Sequence, residues 1–140
     1  MTTIDNPNDG GLDLVIERVV DAPADLIWQA WTVPEQLMAW WCPLPWKTVE
    51  CDIDLRPGGA FRTVMRSPDG VDLPANNGCY LEVVPNRRLV WTNALGPGFR
   101  PAHKPQPLAM TGILTLEPEG RRTRYRAAAL HADEADRQKA

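Results

Sequence analysis

The spacing of apolar positions changes period along the chain. Leu12 to Val20 (LDLVIERVV) has the branched residues and partial alternation of a strand. Asp21, Ala22 and Pro23 then introduce a helix, since proline is accepted in a first turn. Within it Leu26, Ile27, Ala30 and Trp31 share one face at 3.6-residue spacing. Thr32-Val33-Pro34-Glu35 fits a capping box, in which the Thr32 hydroxyl takes the Glu35 amide and the carboxylate reaches back. A second short helix is expected there, running to about Trp40 and ended by Pro43 and Pro45.

From Thr48 onward the period is two. Strands are predicted over Thr48–Leu55, Ala60–Arg66, Gly78–Val84, Arg88–Ala94, Met110–Glu117 and Thr123–Leu130. The turns between them carry proline, glycine or asparagine: Arg56-Pro57-Gly58-Gly59, Ser67-Pro68-Asp69-Gly70, Pro85-Asn86-Arg87 and Pro118-Glu119-Gly120. Gly96 to Pro107 holds four prolines in twelve residues and reads as a loop. One strand, two helices and a meander of strands make an α+β antiparallel sheet. Residues 1–11, rich in Asn, Asp and Gly, read as a disordered lead-in, and 12–140 as one domain.

Four of the six tryptophans, Trp28, Trp31, Trp40 and Trp41, fall between Ala22 and Pro43. Each buries a large apolar area and drives core formation. Adjacent Trp40 and Trp41 cannot share one helical stripe, so one is expected in the core and the other at a groove or cavity mouth. The last ten residues, HADEADRQKA, open like a helix with acids early and bases late, as the helix dipole favours. They hold no large apolar residue, so the concave side of the sheet lacks an evident cover.

Composition narrows the function. With 140 residues, 44% of them hydrophobic, the chain can bury a real core, and its net charge of −3 is balanced. The arginines (Arg18, Arg56, Arg62, Arg66, Arg87, Arg88) are scattered and form no basic face for nucleic acid. No apolar run is long enough to span a membrane, and the polar start MTTIDNPNDGG is neither a signal nor a transit peptide. Cys42, Cys51 and Cys79 are too widely spaced for a metal pattern or a disulfide framework. Free thiols in a reducing cytoplasm are expected.

Arg18 followed by DAPADLIWQAWTVPEQLMAWWCP (Asp21–Pro43), DLRPGGAF (Asp54–Phe61), GCYLEVVPNRRLVWT (Gly78–Thr92) and MTGILTLEPEG (Met110–Gly120) resemble successive motifs of one family. It is the family named for the activator of heat-shock-protein-90 ATPase, within the START or birch-pollen-allergen-like superfamily, and the resemblance covers roughly residues 12–130. It implies a helix-grip fold, a curved antiparallel sheet wrapped around a long C-terminal helix with a cavity between them. The two short helices, here Pro23–Trp31 and Pro34–Trp40, would close one end of the sheet. Only the first turns of the long helix are present, so that helix reads as truncated and the natural chain is expected to continue past Ala140. Failing that, the uncovered face invites a homodimer.

Alternation puts Tyr80, Glu82 and Val84 on one face of their strand. If that face meets the cavity, a carboxylate lies beside a phenol in a desolvated pocket, where a raised carboxyl pKa allows acid–base work. Otherwise Glu82 faces solvent or pairs with an arginine such as Arg62 or Arg66. His103, in the proline-rich loop, is a candidate rim residue for proton transfer or ligand contact, and His131 follows the last strand. Two distant histidines without an acidic cluster support no metal site. Ser67 lacks a histidine nearby, and Gly58-Gly59 is a turn with no phosphate loop after it. Cys42 beside Trp41 is either a thiol at the cavity mouth or a packed cysteine.

Trp41, Phe61, Met65, Tyr80, Trp91 and Met110 could line an apolar pocket, with Thr63, Glu82 and Asn93 as its few polar groups and His103 at its rim. The first functional expectation is therefore a cavity protein that binds a small hydrophobic or aromatic molecule without cofactor, metal or nucleotide. The alternative is a cyclase- or hydrolase-type enzyme using Glu82 and Tyr80. The family name implies a third, a chaperone-binding module. The additional N-terminal domain of the eukaryotic activators has no counterpart in these residues.

Overall fold

The structure, a computed structural model, describes residues 3–4, 13–102 and 110–131. The strands are β1 (Thr3–Ile4), β2 (Asp13–Val20), β3 (Lys47–Ile53), β4 (Ala60–Arg66), β5 (Asn76–Val84), β6 (Arg88–Thr92), β7 (Leu95–Gly96), β8 (Arg100–Pro101), β9 (Met110–Glu119) and β10 (Arg122–His131). The helices α1 (Ala24–Thr32) and α2 (Pro34–Met38) lie between β2 and β3. Eight strands form one curled antiparallel sheet in the order β1-β2-β10-β9-β6-β5-β4-β3, and β7 with β8 makes a separate small hairpin. This is the α+β helix-grip architecture.

The turns do what their residues dictate. Asn86 (φ 62°) and Gly120 (φ 63°) take the left-handed conformation that reverses the chain after β5 and after β9. All of the small hairpin but Leu95 falls inside the proline-rich segment Gly96–Pro107 read as a loop. Residues 103–109, and the last stretch 132–140 where a C-terminal helix was expected to begin, lie outside the described residues, as does most of the lead-in. Among the described residues no C-terminal helix is present.

Cross-strand register sorts the two faces of the sheet. Tyr80 opposes Trp91, Trp91 opposes Gly112, Leu89 opposes Leu114 and Leu116 opposes Tyr125, so these residues share the inner face. Phe61, Tyr80, Leu89, Trp91, Leu114 and Leu116 form the core there with Trp28, Trp31 and Leu37 from the two helices. Three local expectations are corrected. The buried face of α1 is carried by Trp28 and Trp31, while Leu26 is 53% exposed. The larger indole of Trp28 wins the inward position, which a 3.6-residue pattern alone does not rank. The capping box does not form: the N-cap of α2 is Val33 without a side-chain bond, and the Thr32 hydroxyl donates back to the Trp28 carbonyl (2.8 Å). The second helix also ends at Met38, short of Trp40.

Candidate functional site

Six large rings meet where the helices cross the inner face. Trp31 lies 4.7 Å from Trp40, 6.0 Å from Trp41 and 5.2 Å from Trp91, centroid to centroid. Trp41 continues the cluster to Phe61 (5.3 Å), which stacks on Tyr80 at an interplanar angle of 14°. Most of these pairs are tilted or edge-on, the arrangement that the ring quadrupole favours. The adjacent tryptophans part as expected. Trp41 turns toward the core, whereas Trp40 stays 41% exposed and donates its indole N–H to the Ala30 carbonyl (2.9 Å).

Two hollows flank this cluster. The first is a small cavity of about 40 Å³ walled by Trp41, Phe61, Thr63, Asn76, Gly78, Trp91, Thr92, Asn93 and Met110. It is the size of one or two waters, far below the ~300 Å³ at which small-molecule sites begin. Six of the ten candidate ligand residues meet there: Trp41, Phe61, Thr63, Trp91, Asn93 and Met110. Asn93 is braced by accepting the Met110 amide on its side-chain oxygen (2.9 Å). Met65 is half-buried outside that wall, and His103 lies outside the described residues.

The second hollow is an open groove of about 260 Å³ between α1 and the start of the sheet, lined by Val20, Ile27, Ala30, Trp31, Trp40 and Tyr125. Its lining is almost wholly apolar, with the Trp31 indole and the Tyr125 phenol in its wall. Burial pushes that phenol above its usual pKa, against the smaller opposing pulls of the Trp31 indole and the Arg18 charge. None of the six was among the sequence-derived ligand residues. The adjacent tryptophans were the one signal for this groove, since Trp40 had to leave the stripe that Trp41 occupies.

The expected acid–base pair is corrected. The β5–β6 register shifts between Tyr80 and Glu82, so Tyr80 opposes Trp91 while Glu82 opposes Val90. A bulge at this point adds one residue and turns the following side chain to the other face. Glu82 therefore sits on the outer face, half-exposed, where Arg88 donates to it at 3.2 Å. Tyr80 is fully buried, its hydroxyl has no hydrogen-bond partner among the described residues, and burial drives its pKa far up. The partner of Glu82 is Arg88, while Arg62 binds Glu50 and Asp52, and Arg66 binds Asp72.

The thiols are free: Cys79 is buried, and Cys42 and Cys51 are half-buried. Cys42 Sγ lies 3.3 Å from the Thr48 hydroxyl. Burial, with Asp52 and Glu35 adding like-sign repulsion, pushes the Cys51 thiol up to about 11. Among the described residues no cluster of three metal-binding side chains exists, and no helix is long and apolar enough to cross a membrane.

Comparison with known proteins gives a family and several structural relatives. The model of the family described as "Activator of Hsp90 ATPase homolog 1-like protein" matches residues 21–140. A crystal structure of a Nitrosomonas europaea protein is 42% identical, with a TM-score of 0.86, covering 96% of this chain and 84% of that one. A Chromobacterium violaceum protein follows at 25% identity and TM-score 0.72, over 89% of this chain and 82% of that one. A Mycobacterium smegmatis protein at 24% identity and TM-score 0.74 shares the fold over 99% of this chain and 83% of that one. No curated protein matches the chain.

Proposed function

The chain belongs to the Activator of Hsp90 ATPase homolog 1-like family, and from that premise we propose that it binds a small hydrophobic or aromatic molecule in the groove beside α1. The observation that carries this reading is the groove itself: about 260 Å³ of apolar space walled by two tryptophans and a tyrosine. Such a volume is close to the lower bound of ligand sites, and flat rings offer faces for stacking. The 40 Å³ cavity next to it is too small for more than water. The protein acts here as a binder, because Glu82 and Tyr80, the acid–base groups an enzyme of this shape would need, lie on opposite faces of the sheet. Cytoplasmic residence belongs to the same reading, since three free thiols suit a reducing compartment.

Titration with the neutral fluorophore N-phenyl-1-naphthylamine tests it. Saturable binding of one probe per chain is expected, weakened about fivefold in Trp40→Ala, which removes one groove wall while leaving the fully buried core side chains in place. Absence of saturable binding, or binding indifferent to Trp40→Ala, would overturn the proposal.

A further inference from the structure

Resting on that groove as the binding site, we propose that its ligand is an organic anion, an aromatic or aliphatic body in the groove with a carboxylate or sulfonate held by Arg18. Arg18 stands directly opposite Tyr125 across the β2–β10 pair. Opposed side chains on one face of a sheet lie within contact reach of each other. Two residues along β2 on the same face is Val20, which with Tyr125 forms the sheet-side wall of the groove. The guanidinium is thus beside the mouth of an otherwise apolar hollow, and its charge is felt at the Tyr125 phenol.

Among the described residues Arg18 takes part in no ion pair, and its side of the chain is exposed. The acids nearest in sequence are engaged elsewhere: Glu17 points to the outer face and pairs with Arg124 (3.3 Å), and Asp21 lies 4.0 Å from Arg122. On the outer face Arg62, Arg88 and Arg124 are each bound to at least one carboxylate, whereas Arg126, like Arg18, takes part in no ion pair among the described residues. An arginine fork next to an apolar wall matches a flat amphipathic anion, because it offers two parallel donors to a carboxylate or sulfonate. The ring system meanwhile loses its water against Trp31, Trp40 and Tyr125.

A matched probe pair separates charge from apolar body. Anilinonaphthalene-8-sulfonate carries one anionic group on the ring system of neutral N-phenyl-1-naphthylamine. The full chain is expected to bind the sulfonate about tenfold more tightly, with the preference fading at high salt. Arg18→Gln should erase the preference while leaving the neutral probe unchanged, and Arg18→Lys should restore part of it. Arg126→Gln removes the same charge from the next residue of β10, on the outer face, and should change neither affinity. Equal binding of both probes, or loss of sulfonate affinity in Arg126→Gln as much as in Arg18→Gln, would overturn the anion assignment while the groove stands. Failure of both probes to bind would sink the groove itself.

Discussion

Replacing Gly112 by alanine isolates what holds the aromatic cluster in place. Gly112 lies mid-strand in β9, opposite Trp91. A Cβ built there would fall inside the indole, 2.7 Å from Trp91 Cη2 and closer still to Cζ2 and Cε2. The ring's retreat is limited, since its centroid is 5.2 Å from Trp31, 6.4 Å from Trp41 and 6.2 Å from Phe61, with only the cavity of about 40 Å³ beside it. Overpacking a core costs roughly 1–3 kcal/mol. Spoiling two ring contacts adds about 0.5–1.5 kcal/mol each. Against that, alanine lowers the chain-entropy penalty that glycine carries in a strand by about 0.5–1 kcal/mol. A net loss of roughly 1–5.5 kcal/mol follows, or about 3–16 °C in Tm for a domain of this size. Urea unfolding followed by tryptophan emission, with calorimetry, measures both. Repeating Gly112→Ala in a Trp91→Leu background removes the obstacle, and the cost there should drop below about 0.5 kcal/mol. A Gly112→Ala protein as stable as the parent, or an equal loss in both backgrounds, would refute the steric account.

Two other changes probe buried polar groups. Tyr80→Phe should hold stability or raise it by up to about 1–2 kcal/mol in a urea titration, because the phenol hydroxyl is buried without a partner among the described residues; a clear loss would mean that a hydrogen bond is made there. Cys51, pushed from 9.0 to about 11, should hold only about 0.1% thiolate at pH 8, so its labelling by iodoacetamide, followed by peptide mass spectrometry, should climb about tenfold per pH unit up to pH 10. The folded state retains the Cys51 proton longer than the unfolded one, so this stabilisation is complete below about pH 9 and is lost as pH rises through about 11. Cys51→Ala should flatten that part of the pH dependence, and an unaltered slope would discount the shift.

The fold was legible because its strands, turns and helices follow local rules. Alternation located β4 to the residue, and Asn86 and Gly120 sit where the chain must take a positive φ. What escaped was decided by tertiary contacts. Nothing in GCYLEVV marks the bulge after Tyr80, since bulges are set by how two strands must bend together; yet one extra residue there moved Glu82 from the inner face to the outer. The Thr32 hydroxyl had two acceptable partners, and the helix it ends supplied the nearer one. The candidate ligand residues came from strand alternation, which found the walls of the small cavity. The larger groove needs α1, β2 and β10 brought together, with Val20 and Tyr125 on one wall, a juxtaposition that no local period predicts.

The groove shares its inner wall with the core, and this bears on how binding can be read from mutants. Trp31 is 8% exposed, belongs to the central cluster and touches three other tryptophans, while also lining the groove beside Tyr125. Truncating it removes ligand contact and core packing together, at a cost of roughly 3–5 kcal/mol, a large fraction of a domain's stability. Loss of binding in such a variant says nothing about recognition. Trp40 and Arg18 are exposed, so a change in probe binding on replacing either, with stability held, reports on the proposed site. Linkage supplies the converse reading: a ligand at one hundred times its Kd stabilises the native state by about 2.7 kcal/mol. That gain offsets much of the Gly112→Ala loss. A destabilised Gly112→Ala protein should therefore recover stability on adding the ligand if the groove survives the displacement of Trp91, and recover none if Trp91 holds Trp31 in its groove-lining position.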